Sequence, residues 1–133
     1  MYPTLQKGDQ FIAREESISN IERGDICIFT KDSELYVKRL IGLPGDIINI
    51  NKGTVHINGC IINEPYVEKH DGFSGQFVVP EGHYFFLGDN RANSNDSRYW
   101  HSPYIPAESI KGVVVLQVHP EVQLIEEYNY EIY

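Results

Sequence analysis

Thr54-Val55-His56-Ile57-Asn58-Gly59-Cys60-Ile61-Ile62 is the stretch that decides the fold. Asn and Gly both tolerate the positive φ of a type I′ turn, so Asn58-Gly59 predicts a hairpin joining Thr54 to Ile57 with Cys60 to Ile62. Similar runs lie on either side: Gln10 to Arg14, Asp25 to Phe29, Leu35 to Leu43, Asp46 to Ile50, Gln76 to Val79, His83 to Leu87 and Gly112 to Val118. Each is rich in β-branched or aromatic residues and bounded by Gly, Pro, Asn or Asp, the mark of short strands. One helical turn is expected at Pro106 to Ile110, where proline suits a first helical position and Gly112 follows the end. The prediction is a mainly β, antiparallel protein with one or two short helical turns. Glu68 to Gly75 reads as an exposed loop inserted between strand pairs, and Glu126 to Tyr133 as a frayed tail.

With 133 residues and 41% hydrophobic content, a single domain around one modest core is expected. Lys+Arg 11 against Asp+Glu 19 gives a formal charge of -8, which repels phosphate backbones and argues against nucleic acid as a partner. Acidity also disfavours adhesion to an anionic membrane surface, while apolar loops remain able to dip into lipid. Cys27 and Cys60 are too few for a disulfide framework, and Cys27 sits in an apolar run where a buried thiol is the plain reading. No stretch approaches the roughly 18 apolar residues of a membrane span, and no secretory leader is visible. His56, His70, His83, His101 and His119 make no metal-ligating pair by spacing, so neither metal nor cofactor is expected.

Two segments carry chemistry. Alternation along Leu35 to Leu43 puts Leu35, Val37, Arg39, Ile41 and Leu43 on one face and Tyr36, Lys38 and Leu40 on the other. A lysine with apolar neighbours on its own face has two readings: its head reaches water along an apolar stem, or burial lowers its pKa toward roughly 7 to 8, where the amine accepts protons. Gly88 to Arg98 packs two Asp, three Asn, two Ser and two Arg into eleven residues. It is no EF-hand loop, because glycine at the sixth place and glutamate at the twelfth are missing. Asn95-Asp96-Ser97 matches a glycosylation sequon, an uninformative coincidence. The Gly42-Leu43-Pro44-Gly45-Asp46 turn between the lysine strand and the next needs only a structural explanation.

In order along the chain, Met1-Tyr2-Pro3-Thr4-Leu5, Arg23-Gly24-Asp25-Ile26, Tyr36-Val37-Lys38-Arg39 leading into Gly42 to Asp46, and Gly88 to Arg98 resemble the boxes of bacterial type I signal peptidases. The short interval between the lysine and the last box is similar to the compact forms typical of Gram-positive bacteria. The resemblance implies coiled antiparallel β-sheets around a Ser-Lys dyad, with the serine immediately before Met1 and so outside this sequence. An amino-terminal membrane anchor is expected to be missing with it, and residues 1–133 alone are expected to be an inactive single soluble catalytic domain.

By the same resemblance Lys38 is the general base and Ser94 orients its amine. Asp96 and Arg98 form an ion pair under the catalytic strand, with Arg39 a possible further partner. Met1, Pro3 and Leu5, with Tyr36 and Val37, line apolar pockets for the small residues at the first and third positions before the cut, and extended substrate adds as a strand beside Leu35 to Lys38. The implied function is removal of signal peptides from secreted precursors by a monomer touching the membrane lipid surface, on the extracytoplasmic face of the cell membrane. Two rivals are a signal-peptidase-like binding factor, without its nucleophile, for assembling surface structures such as pili, and a self-cleaving Ser-Lys repressor. Retention of Lys38 argues against the first, and the Gly88 to Arg98 box fits the second badly.

Overall fold

The computed structural model describes residues 1–6, 8–15, 20–119, 123–125, 128 and 130. Two antiparallel sheets dominate it. Strands β1 (Gln10–Arg14), β2 (Ile26–Lys31), β3 (Glu34–Gly42), β8 (His83–Leu87), β9 (Ile105–Pro106) and β10 (Ile110–His119) run in the order β1-β10-β2-β3-β8-β9, with β11 (Gln123–Leu124) also paired to β10. The smaller sheet has the order β6-β5-β4-β7, from β4 (Ile47–Asn51), β5 (Thr54–Ile57), β6 (Cys60–Ile61) and β7 (Gly75–Val78). Single 3-10 turns occupy Arg91–Asn93 and Ala107–Ser109, the latter inside the stretch expected to be helical.

Local chemistry accounts for the hairpins. Asn58 and Gly59 have φ of 51° and 87°, the paired positive values of a type I′ turn, and the Asn58 side chain also accepts a hydrogen bond from the Ile47 amide. The β4-β5 turn repeats this at Lys52 and Gly53, with φ of 48° and 87°. The β2-β3 turn does the same at Asp32 and Ser33, without glycine. β6 is shorter than its apolar run suggests, but the Ile62 amide still donates to the Val55 carbonyl.

One apolar cluster joins Ile48, Ile50, Val55 and Ile57 of the small sheet to Ile41, Phe85 and Leu87 of the large one. A second lies within the large sheet around Cys27, Phe29, Leu40, Phe86 and Val113. Strict alternation along β3 fails at its end. A register shift between Leu40 and Gly42 against β8 turns Leu43 away from the Ile41 side, and it packs with the Leu40 cluster instead. The loop expected at 68–75 is largely exposed, yet Asp71 is pinned by Arg98 and Tyr99. Of the expected frayed tail, Tyr128 and Tyr130 are described and pack against the fold, through the Tyr66 ring and the first cluster respectively. The tail's other residues lie outside the described ones.

Candidate active site

β3 presents Lys38 beside the 88–98 loop, where its Nζ donates to Ser94 Oγ at 3.1 Å. Burial lowers the pKa of this amine, Asp96 and Asp89 oppose the shift, and Arg98 adds to it. The Met1 nitrogen lies half-buried close by, within reach of the charges of Lys38 and Asp89. Gly88 makes this approach possible, since a Cβ there would fall on Ser94 Oγ and stand 3.4 Å from Lys38 Nζ. The sequence singled out the Gly88 loop but assigned this glycine no role.

The loop is held by buried charge. Asp96 Oδ1 accepts from Arg98 Nε at 2.8 Å, and Oδ2 accepts from Arg98 Nη2 at 2.9 Å and from the Gly88 amide at 3.0 Å. Arg98 also donates to Asp71 Oδ2 at 2.7 Å and to the Arg91 carbonyl at 3.1 Å. Ser97 stitches the loop to β8 by accepting from the Phe86 amide at 2.9 Å. Arg39 takes no part in the Asp96-Arg98 pair. Its Nε and Nη2 donate to Asp89 at 2.8 and 2.7 Å, and both side chains are fully buried.

Asp89 also accepts from Thr4 Oγ1 at 2.5 Å, and its amide donates to Met1 Sδ at 3.4 Å, so one carboxylate ties β3, the loop and the first residues together. Arg91, paired with buried Glu64, donates to the Gly88 carbonyl at 2.9 Å. Asp89, Arg91 and Glu64 were missed as partners. A loop with two Asp and two Arg allows several pairings, and its spacing does not choose between them.

The apolar residues expected around substrate divide between the two faces of β3. Met1, Leu5 and Val37 gather with Ile26, Ile28 and Val114. Tyr36 lies on the other face, stacked 5.7 Å from Phe29 and edge-on to Trp100 at 5.2 Å. Pro3 lies with Tyr2 along a shallow cleft lined by Lys69, Asn90 and Ala92. β8 pairs with β3 only from Arg39 onward, so among the described residues no strand covers that edge of Glu34 to Lys38. An extended peptide has a free edge there, beside the amine. Among the described residues no group of three or more His, Cys, Asp or Glu side chains converges as a metal site would. Cys27 is buried and free, and burial pushes its thiol pKa far up, which leaves it a poor nucleophile.

Comparison with known proteins matches residues 1–119 to the family described as signal peptidase, peptidase S26. A probable signal peptidase I-2 of Synechocystis is 36% identical over 131 residues, covering 90% of this chain and 59% of that protein. A signal peptidase I of Bacillus amyloliquefaciens is 42% identical over 113 residues, covering 74% and 58%. The chain thus spans about three fifths of the length of these relatives. The crystal structure of a signal peptidase I from Enterococcus faecalis superposes with a TM-score of 0.60 at 36% identity, covering 73% of this chain and 98% of that one.

Proposed function

The chain belongs to the signal peptidase S26 family, and on that premise we propose that it is the catalytic part of a serine endopeptidase that removes signal peptides from secreted precursors. The observation that carries this reading is the Lys38 amine, depressed by burial, 3.1 Å from Ser94 and beside the Met1 nitrogen. A residue joined to that nitrogen would be a neighbour of the amine, whose charge the nitrogen feels. With serine there, neutral Lys38 takes the hydroxyl proton as Oγ attacks the scissile carbonyl, and the acyl-enzyme forms as the leaving amine takes a proton back. Water, deprotonated by the same lysine, then resolves the ester.

Ser94 holds the amine in line, while Asp96 and Arg98 keep the loop beneath it. Substrate lies along the free edge of β3, with Met1, Leu5 and Val37 on one side and small residues favoured where the backbone comes closest to Lys38. Membrane attachment on the extracytoplasmic side belongs to the same proposal. Among the described residues no helix is long and apolar enough to cross a bilayer.

The test is a longer protein with serine directly before Met1, its serine-to-alanine twin, and residues 1–133 alone, each given a precursor with small residues before the cut in detergent. Only the first should cleave. If it folds and binds the precursor but cuts nothing between pH 6 and 10, the protease reading falls and a binding factor for surface assembly takes its place.

A further inference from the structure

Arg39 is fully buried, and Asp89 is its one carboxylate partner among the described residues. The remaining contacts are less usual. The guanidinium carbon lies 3.9 Å from the centroid of the Tyr66 ring and 5.2 Å from that of Tyr128. The two rings meet edge-on at 5.0 Å. Tyr130 Oη donates to Tyr66 Oη at 3.1 Å, and Tyr66 Oη donates to Glu64 at 2.9 Å. The Tyr130 ring also fills the space over Gly24, where a Cβ would stand 2.5 Å from its Cε2. The Gly24 carbonyl in turn accepts from Arg39 Nη1 at 2.9 Å. Tyr128 thus closes, with Tyr66, an aromatic cage around a buried cation, where π faces compensate for lost water, and Tyr130 backs the cage through its bond to Tyr66 and its place over Gly24.

The cage reaches the site by two routes. Arg39 orients Asp89, which holds Thr4 and Met1 beside Lys38. Tyr66 orients Glu64, which holds Arg91, and Arg91 grips the carbonyl of Gly88 beneath Ser94 and Lys38. We propose that Tyr128 and Tyr130 are positioning residues: Tyr128 by closing the cage on Arg39, and Tyr130 by bracing Tyr66 and Gly24 behind it, keep Asp89, and with it the Met1 to Thr4 segment, in register with Lys38. The catalytic part of this inference rests on the peptidase reading above, whereas the cage itself does not.

The experiment has one arm for each. In residues 1–133, hydrogen exchange at the Arg39 Nε–H is followed by ¹⁵N NMR for Tyr128→Leu, Tyr128→Phe and Tyr130→Phe, with Arg98 Nε–H as internal reference. Tyr128→Leu should speed Arg39 exchange about thirtyfold, the scale of a desolvated cation–π contact, while Tyr128→Phe keeps the protection. Tyr130→Phe should loosen it by a smaller factor, through the lost bond to Tyr66. Equal exchange in Tyr128→Leu and the parent, or equally fast exchange in the Phe and Leu variants, overturns the cage.

In the longer serine-bearing protein, Tyr128→Leu should lower kcat about tenfold with KM unchanged, and Tyr128→Phe should restore it. Lost protection with unchanged kcat overturns the positioning role. If the parent itself cleaves nothing, the peptidase reading has failed, and the exchange arm alone decides the cage.

Discussion

Asp89→Ala should be among the most damaging single substitutions in this fold. The Asp89 and Arg39 side chains have no exposed surface, and the carboxylate accepts from Arg39 Nε, Arg39 Nη2 and Thr4 Oγ1. An exposed ion pair contributes at most about 1 kcal/mol. Removing one partner of a buried pair costs about 3–5 kcal/mol, because the other charge is stranded without water. For 133 residues at about 2.1 cal/mol/K each, the unfolding entropy is about 0.28 kcal/mol/K, so the melting temperature should fall by about 10–18 °C. Thermal and urea unfolding followed by circular dichroism measure this at neutral pH. Arg39→Met combined with Asp89→Leu removes both charges and should recover most of the loss. A single-variant loss below about 1 kcal/mol, or a double variant as unstable as the single, would mean that no stranded charge is the cause.

Gly88→Ala should disable the site more than the fold: its Cβ would displace Ser94 Oγ and crowd Lys38. In a serine-bearing protein the rate should fall by about 10²-fold or more, the scale of a mispositioned base, with the melting temperature lowered by only a few degrees; full activity would contradict the packing. Cys27 should resist alkylation in the native protein at pH 8 and react after denaturation, as mass spectrometry would show. Rapid native labelling would contradict its burial and raised pKa.

Local chemistry was legible in the sequence wherever a short segment suffices. Asn58-Gly59 sets its own turn, and β-branched runs set the strands and hence the β class. The box residues Lys38, Ser94, Asp96 and Arg98 were expected together from their resemblance to the family's boxes, and the structure brings Lys38 to Ser94 and Asp96 to Arg98. What sequence cannot show is which distant charges meet. Arg39 chooses Asp89, 50 residues away, over Asp96, because the 88–98 loop turns Asp96 toward Arg98 and the Gly88 amide. Alternation placed Leu43 with Ile41, but a register shift of the kind a bulge makes is decided by pairing with β8 and leaves no mark in β3 itself. Tyr36 and Val37, neighbours in one motif, necessarily face opposite sides of the strand. The two faces could be assigned by alternation, but not that Val37 gathers with Met1 and Leu5 while Tyr36 stacks on Phe29. Tyr128 and Tyr130 look like frayed tail until the buried cation that Tyr128 covers, and the Tyr66 that Tyr130 braces, are seen.

In the peptidase proposed above, Lys38 acts as an amine kept neutral by burial beside Ser94. Burial lowers its pKa below the ordinary lysine value, so the amine loses its proton as pH rises through that lowered midpoint. ¹⁵N NMR of the Lys38 side chain in the serine-to-alanine protein reads this midpoint directly, and kcat/KM of the serine-bearing protein reads it through turnover. The two should share one midpoint below that of an exposed lysine, with activity rising as the amine becomes neutral and vanishing in Lys38→Ala. A Lys38 titration at the ordinary lysine value, or a rate profile that rises at a different pH from the amine, would contradict it.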